Sequence, residues 1–471
     1  MKIVYVVVIV GYLLGISIYG WFLNKKYIKN SEDFVKGGQR LPMPILIGTL
    51  LATWMGSGMI TGTANFIYTY GPVAGMLHLL AEPIGLLLVA LVLARKAREK
   101  AKTTIPELIK QKYGLTASII LSICIILSYV GIVSYQFQAG GYILHMTTGM
   151  SVETGTMIST FIIIFLAVVG GLVSVAYTDA IGTLVIFVAM IIALPIVLHD
   201  AGGLSGMIDA IPKEKMSVTG KLNGIQMLGY IFPTLFLVLG EQNLYQRFGA
   251  AESAETARKS GLGLFWLGLL LDFLILGLIT PSIVLYPNLE NPDTAFFQVA
   301  MGIPKFIGAF TLASAVALCI TTADSYLLSA GTNITYDFFI RIKGEDKVTD
   351  NEKLKVTRIS IVVLGIFALV IGKFFPSILS LQMYAYSIYG AAVTPAFVAC
   401  LFWDKATKAG GLTSIISGGA TVLIWEILLH NPMGLNSIII AGPVSILSLI
   451  IVSLCTQKQN LEKNNIDIDA A

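Results

Sequence analysis

Charged side chains are scarce in this sequence of 471 residues: Asp, Glu, Lys and Arg make up 12%, and 56% of the residues are hydrophobic. A soluble globular domain usually carries about 25% charged residues, so the composition excludes that class. The four cysteines (Cys124, Cys319, Cys400 and Cys455) are scattered, which excludes a disulfide framework or a cysteine metal site. The four histidines form no HExxH motif, so a zinc hydrolase of that type is also excluded.

The sequence instead contains long apolar runs of about 20 residues, the length that crosses a hydrocarbon core as a helix. The runs are continuous rather than alternating, which argues against membrane strands. The first run is long and is followed by lysines without a cleavage pattern, so it is predicted to be a retained helix. We predict an all-α integral membrane protein with thirteen transmembrane helices, at residues 3–22, 43–68, 72–94, 116–146, 152–176, 180–199, 224–246, 260–286, 306–339, 359–375, 377–403, 410–429 and 434–455.

The distribution of cations predicts the orientation of the chain. With the N-terminus outside, the inner segments hold 25 of the 31 Lys and Arg residues, as the positive-inside rule requires. We therefore predict a multi-pass protein of the cell (plasma or inner) membrane with its N-terminus outside and its C-terminus in the cytoplasm. The formal charge of +4 then reflects topology. The expected partners are the lipid bilayer and a small solute, with no nucleic acid and no obligatory protein partner.

The carboxylates predicted to lie within or at the start of spans include Glu82, Asp179, Asp272 and Asp324. A carboxylate at the centre of a membrane helix costs roughly 2.5–3.5 kcal/mol on insertion, so it usually faces a cavity or a partner. Apart from Lys373 near the outer end of its span, no Lys or Arg falls inside a predicted span, and an acidic interior favours a cation pathway. The alternative is that these carboxyl groups are protonated or interfacial and only connect helices.

Two spans carry helix-breaking residues at corresponding positions. The second span contains Gly56-Ser57-Gly58, and the seventh contains Pro233. Each of these spans opens a five-helix unit, 43–199 and 224–403, and an odd number of helices inverts the second unit. Interrupted segments at matching positions point to a transporter with inverted repeats, in which unwound backbone coordinates ions. The glycines alone are weaker evidence, because glycine also supports close helix packing in membranes.

Six stretches resemble, in order, motifs of the sodium/solute symporter family, and together they cover almost the full length. The stretches are SEDFVKGGQRLP, ATWMGSGMITGTANFIYTYG, GGLVSVAYTDAIGTLVIF, GEQNLYQRF followed by ARKS, ALCITTADSYLLSAGTNITYDFF, and MYAYSIYGAAVTPAFVACLFW. The resemblance implies the leucine-transporter-type fold, a five-plus-five inverted-repeat core with one extra helix before it and two after it. Residues 1–42 would then form the extra N-terminal helix and a cytoplasmic loop, 43–403 the ten-helix transport core, and 404–471 two C-terminal helices and a short cytoplasmic tail.

The same resemblance implies a main sodium site between the first and eighth core helices. Its ligands would be the backbone carbonyls of Ala52, Met55 and Leu318 and the hydroxyls of Thr321 and Thr322. Neutral oxygens suit sodium, because they bind a hard cation weakly enough to release it. The alternative is that both threonines only bond to carbonyls one turn earlier in their own helix.

Some family members have a second cation site, and the matching residues here are Asp179, Asp324 and Ser325, next to Thr321. These residues could hold sodium or accept a proton. The chain departs from the family pattern at Asp324, where a hydroxyl is usual, and at Gly56, where those members present a hydroxyl. Asp179 can also be read as the N-cap of the span that begins at residue 180.

By family position, the solute should be contacted from six core helices. Several polar residues of the sugar carriers are missing, Gly268 standing in one of their places, so a sugar is disfavoured. An amino-acid-like or other small zwitterion is favoured, because Asp272 or Glu82 could bind its ammonium group. The alternatives are a His78–Glu82 hydrogen bond and glutamines that bridge helices. The substrate-binding candidates are Met59, Thr63, His78, Glu82, Gln136, Gln138, Thr234, Asp272 and Gln382.

We therefore expect a secondary active symporter that uses one or two Na⁺ to import a small organic solute by alternating access. A proton-coupled transporter of the same fold, working through Asp179 and Asp324, is the main alternative. An ion channel lacks support because no pore loop is repeated. An intramembrane enzyme is disfavoured because Ser57, within GSG, has no suitable base nearby in the sequence.

Overall fold

The computed structural model describes residues 3–27, 40–100 and 102–469, and within these ranges the regular secondary structure is helical. Residues 31–39 of the motif SEDFVKGGQRLP lie outside the described residues. Twelve described helices are long and apolar enough to cross a membrane, and two further helices that meet at 50° make up a thirteenth crossing. The prediction of an all-α membrane protein with thirteen spans is confirmed.

We number the helices in chain order. They are α1 (Ile3–Tyr27), α2 (Met43–Trp54), α3 (Gly58–Tyr70), α4 (Pro72–Glu99), α5 (Ile105–Tyr113), α6 (Leu115–Thr148), α7 (Val152–Val169), α8 (Leu172–Asp200), α9 (Gly203–Ala210), α10 (Gly224–Gly240), α11 (Gln242–Gly249), α12 (Ala254–Leu285), α13 (Ala295–Gly302), α14 (Lys305–Lys343), α15 (Asp350–Phe374), α16 (Ile378–Phe402), α17 (Lys408–Leu428) and α18 (Ile438–Asp469).

Local sequence chemistry sets the ends of several helices. Asn223 and Gln226 form a capping box at the start of α10, because each side chain accepts the backbone N–H of the other residue. Thr349 and Glu352 do the same at the start of α15. Gly149 ends α6 at a φ of 86°, a conformation that glycine adopts without steric cost.

The boundary between α7 and α8 differs from the prediction. Helix α7 ends at Val169, and Gly170-Gly171 separates it from α8, which begins at Leu172 rather than at residue 180. Two consecutive glycines interrupt the apolar run, which sequence hydropathy alone reads as continuous. Asp179 therefore lies inside α8, and its interpretation as an N-cap is wrong.

The predicted break at Pro233 is also wrong. Helix α10 runs from Gly224 to Gly240 through Pro233, and the chain leaves helical geometry only at Glu241, where ψ is 116°. Proline removes only its own N–H donor, and membrane helices tolerate this where neighbours satisfy the freed carbonyl. The interruption of this span thus lies between α10 and α11.

Helices α6, α14 and α16 form the centre of the bundle. Helix α6 packs against both α14 and α16, and its buried Tyr129 contacts the rings of Tyr326 on α14 and Tyr389 on α16. Helices α8 and α14 pack against α2, and α16 packs against the first turns of α3. Apolar side chains such as Phe161 and Phe165 are exposed on peripheral α7, as expected of a surface that faces lipid. The break between α2 and α3 is therefore enclosed by the central helices.

Candidate functional site

The chain between α2 and α3 leaves regular helical geometry halfway across the bundle. Met55 has φ −86° and ψ 71°, and its N–H still donates to the carbonyl of Leu51 at 2.7 Å. The N–H of Gly56 donates to the carbonyl of Trp54 at 3.1 Å. The N–H of Ser57 leaves the helix and donates to Oε1 of Gln136 on α6 at 2.8 Å. The last carbonyls of α2 consequently lie outside the α3 ladder and at the negative end of a helix dipole.

Helix α14 brings hydroxyl groups to this break. Thr322 Oγ1 donates to the carbonyl oxygen of Ala52 at 2.9 Å, across two helices. Thr321 Oγ1 donates to the carbonyl oxygen of Leu318 at 3.3 Å. The predicted sodium ligands Ala52, Leu318, Thr321 and Thr322 are therefore close together, and Met55 lies at the end of α2 beside them. This donor set of neutral carbonyl and hydroxyl oxygens at a helix C-terminus fits a small alkali cation.

Position 56 requires glycine because neighbouring side chains lie too close for a Cβ atom, and not because its φ is unusual. A Cβ atom there would lie 2.5 Å from Nε2 of Gln136 and 2.8 Å from Oγ1 of Thr322. No hydroxyl-bearing side chain fits at this position, which is where family members with a second cation site present one. Gln136, a predicted substrate ligand, instead holds the broken backbone through Ser57.

Gly56→Ala is expected to destabilise the protein by about 1–3 kcal/mol, the usual cost of forcing a methyl group into a packed interior. Thermal unfolding in detergent micelles measures the effect. The matched control is Gly15→Ala on α1, where a Cβ would meet no atom within 4 Å. Equal stability changes in the two variants would contradict the close packing at Gly56.

An arginine occupies the predicted second cation site. Arg247 on α11 is 1% exposed, and its Nη2 lies 3.7 Å from Oδ2 of Asp179, which is 0% exposed. The same Nη2 donates to Oγ of Ser325 at 2.6 Å, and Nε donates to Oγ1 of Thr49 at 3.0 Å. Thr49 Oγ1 in turn donates to Oδ2 of Asp179 at 2.6 Å. The guanidinium group therefore binds two of the three predicted residues of this site, Asp179 and Ser325.

This arrangement corrects the expectation of an interior without basic residues. The predicted span 224–246 ends one residue before Arg247, whereas α11 buries this residue in the bundle. The sequence gives one indication of this burial, because Arg247 directly follows the predicted span that ends at residue 246. Asp324 is buried near Asp179, and its Oδ1 has no hydrogen-bond partner.

Six predicted substrate residues line one narrow cavity of about 10 Å³ next to the helix break. The same wall includes three side chains that sequence reasoning did not select, Trp54, Leu79 and Tyr386. Tyr386 follows Gln382 by four residues on α16, so helical spacing alone placed it on the same face. The six predicted residues are Met59, Thr63, His78, Glu82, Thr234 and Gln382.

Three other candidates lie off this wall. Gln136 bonds to the backbone of Ser57, as described above. Gln138 Nε2 donates to the carbonyl oxygen of Gly372 at 3.1 Å and thus bridges α6 and α15. Asp272 on α12 is buried close to Glu82.

An aromatic cluster lies beside this cavity. Phe66 stacks on the ring of His78 at a centroid distance of 4.6 Å and meets Tyr230 edge-on at 4.9 Å. His78 Nδ1 bonds to the carbonyl oxygen of Tyr230 at 3.1 Å and not to Glu82. Tyr230 and Tyr70 also line a larger cavity of about 920 Å³ at the end of the bundle where α3 ends. The cluster therefore lies between a wide vestibule and the narrow cavity.

The model of the sodium:solute symporter family matches residues 34–418 of this chain. A sodium/proline symporter 2 of Staphylococcus saprophyticus is 26% identical, and the match covers 96% of this chain and 93% of that protein. A sodium/proline symporter of Staphylococcus aureus is also 26% identical with the same coverage.

Two solved structures have the same overall fold. A Na⁺-coupled sialic acid symporter in a substrate-bound, outward-open state superposes with a TM-score of 0.82 at 18% identity, over 97% of this chain and 98% of that chain. MhsT in complex with L-phenylalanine gives a TM-score of 0.55 at 13% identity, over 88% of this chain and 98% of that chain. The predicted leucine-transporter-type fold is thereby confirmed.

Proposed function

This chain belongs to the sodium:solute symporter family, and on that premise we propose that it imports a small, amino-acid-like solute together with sodium. The family and the curated relatives are transporters, so the expectation of a transporter rather than an enzyme is confirmed. L-proline is the first solute to test, because two relatives are named as sodium/proline symporters.

The proposal rests on the contact between α2 and α14 at the helix break. The hydroxyl of Thr322 lies 2.9 Å from the carbonyl oxygen of Ala52, so a cation bound there contacts both helices at once. We infer that sodium is held by Ala52, Met55, Leu318, Thr321 and Thr322. Their oxygens are neutral, so the ion remains the only net charge at the site and can be released.

Sodium bound at this point would hold α2 against α14 and favour one arrangement of the two helices. A ligand shifts a conformational equilibrium only through different affinities for the two states. Moving one charge through 100 mV supplies roughly 2.3 kcal/mol, which corresponds to somewhat less than a hundredfold accumulation before any sodium gradient is added.

We further propose that one sodium ion is coupled per cycle. Arg247 supplies the positive charge at Asp179 and Ser325, so this site has no need of a second ion in the arrangement described here. The transport core would comprise residues 43–403 in a cell membrane, with the N-terminus outside as the distribution of Lys and Arg favours.

Reconstitution into liposomes tests the proposed function. An inward sodium gradient with a negative interior should drive uptake of at least one labelled amino acid, with L-proline measured first. Replacing external sodium by potassium should abolish that uptake. Uptake driven by a proton gradient in sodium-free buffer would contradict sodium coupling and would point to Asp179 and Asp324.

A further inference from the structure

The unpaired polar atoms around the narrow cavity are mostly hydrogen-bond acceptors. Of the described residues that line it, Glu82 and Gln382 each have an unpaired acceptor, Oε1, and both oxygens of Asp272, which is buried close to Glu82, are also unpaired. One donor, Nε1 of Trp54, is unpaired; it approaches Glu82 without completing a hydrogen bond. Buried polar atoms are nearly always satisfied in native proteins. A ligand that completes this site must therefore supply donors.

Asp272 does not line the cavity but is buried close to Glu82, which does. Glu82 on α4 lines the cavity, and a Cβ at Gly268 on α12 would lie 3.7 Å from its Oε1. Asp272 follows Gly268 by one helical turn, so its carboxyl group lies behind that of Glu82, close enough for the two charges to interact. Both side chains are more than nine-tenths buried, at 2% and 5% exposure.

In the described part of the cavity wall, no fixed positive charge neutralises the negative charge of Glu82 and Asp272. Of the described residues that line it, none is Lys or Arg. Nδ1 of His78, the basic ring on the wall, already bonds to the carbonyl oxygen of Tyr230. Arg247, the buried arginine of this region, bonds to Asp179, Ser325 and Thr49 instead.

The remaining wall suits an organic cation. Trp54 and Tyr386 supply aromatic rings, which attract cations through their π faces. Gln382 lies against the start of α3, because a Cβ at Gly62 would be 1.8 Å from its Oε1. Oε1 of Gln382 is thus held at the cavity, and the residue is only 2% exposed.

We propose that Glu82, with Asp272 behind it and Gln382 opposite, binds the ammonium group of the transported solute. An ammonium group has up to three donors and no acceptor, so it complements the surplus of acceptors and the unanswered negative charge. A single proton shared by the two carboxyl groups would sit on one oxygen and bond to a second, and would leave the other two acceptors unsatisfied. The solute class is then amines and amino acids, and sugars or plain carboxylates are excluded. This inference rests on the proposed transport function, because it assigns a ligand to the same pathway.

Thermal-shift titration of the purified protein in saturating sodium tests the assignment. The probes are L-proline, the other standard amino acids and simple amines, each amino acid paired with its N-acetyl derivative, which lacks the ammonium group. We expect at least one ammonium compound to stabilise the protein and its acetylated partner to have no effect. Glu82→Gln should weaken that binding by roughly tenfold to hundredfold, the usual value of a hydrogen bond to a charged group.

Asp272→Asn is a second variant of unchanged shape, and it should weaken the same binding in the same direction. Glu153→Gln is the control, because Glu153 is exposed on α7 and pairs only with Lys373. An affinity within twofold of wild type in Glu82→Gln would overturn the proposal. So would stabilisation by a neutral or anionic solute in preference to every ammonium compound, or no response to any ammonium compound.

Sodium titration of the same variants without solute separates this proposal from sodium coupling. Glu82→Gln should keep the wild-type sodium response, since the proposed sodium ligands are elsewhere. If the variant loses that response, the carboxylate pair belongs to the coupling ion and the ammonium assignment fails. If wild type has no sodium response but still binds ammonium solutes through Glu82, sodium coupling fails and the ammonium site stands.

Discussion

Thr322→Ala is expected to lower the apparent affinity for sodium by roughly tenfold to hundredfold, because it removes one of the proposed ligand oxygens. The Thr322 hydroxyl is the direct link between α14 and the end of α2, at 2.9 Å from the carbonyl oxygen of Ala52. The loss combines the missing ligand with a weaker contact between the two helices. Sodium titration of intrinsic fluorescence in a potassium background measures the change.

The matched control for this variant is Thr332→Ala on the same helix. Thr332 is buried like Thr322, but its hydroxyl donates to the carbonyl oxygen of Leu328 one turn earlier, at 2.7 Å. Its removal should leave the sodium affinity unchanged. Equal sodium affinities in the two variants would mean that Thr322 also has only a structural role.

Arg247→Met is expected to destabilise the protein by about 3–5 kcal/mol, because it leaves the charge of Asp179 buried without a partner. The ion pair is fully enclosed, and Thr49 and Ser325 complete its hydrogen bonds. The methionine retains the volume of the side chain, so the loss of charge dominates the effect. Chemical denaturation in detergent micelles measures the free energy of unfolding.

The double variant Arg247→Met with Asp179→Asn removes both charges and should be more stable than the single variant. Contacting charges usually show coupling energies of about 0.5–3 kcal/mol in such cycles. Arg258→Met is the surface control, since its pair with Glu255 is exposed and should contribute less than about 1 kcal/mol. A single variant as stable as this control would contradict the buried pairing.

The variant Arg247→Met also tests the proposal that only one sodium ion is coupled per cycle. Without the guanidinium group, Asp179 and Ser325 become available to a small cation. Added sodium should then restore part of the lost stability of Arg247→Met, in addition to its effect at the main site. Wild-type protein with two sodium ions at saturation would contradict the assignment of Arg247 as the permanent cation.

The sequence was sufficient for the architecture because membrane insertion constrains it strongly. Apolar runs of about 20 residues and the distribution of Lys and Arg predicted the spans. The Gly56-Ser57-Gly58 stretch predicted the break between α2 and α3, which the structure has at that place. These features depend on local composition and not on which helices become neighbours.

The errors have a common physical origin in tertiary contacts. Pro233 breaks an isolated helix but is accommodated in α10, because the surrounding bundle decides the outcome. Arg247 was assigned to a loop, yet α11 buries it against Asp179 on α8. Trp54 and Tyr386 were overlooked because an aromatic side chain in an apolar run gives no sequence signal of facing a cavity.

The central claim is that sodium binds where the broken helix meets α14. Its most direct test is a sodium titration of wild-type protein in a constant-ionic-strength potassium background, with intrinsic fluorescence as the readout. Trp54 immediately precedes Met55 at the break and should report the binding event. We expect a saturable response that is specific for sodium, follows a single-site curve and is lost in the variant Thr321→Ala with Thr322→Ala. Identical responses to sodium and potassium, or an unchanged sodium response in that variant, would contradict it.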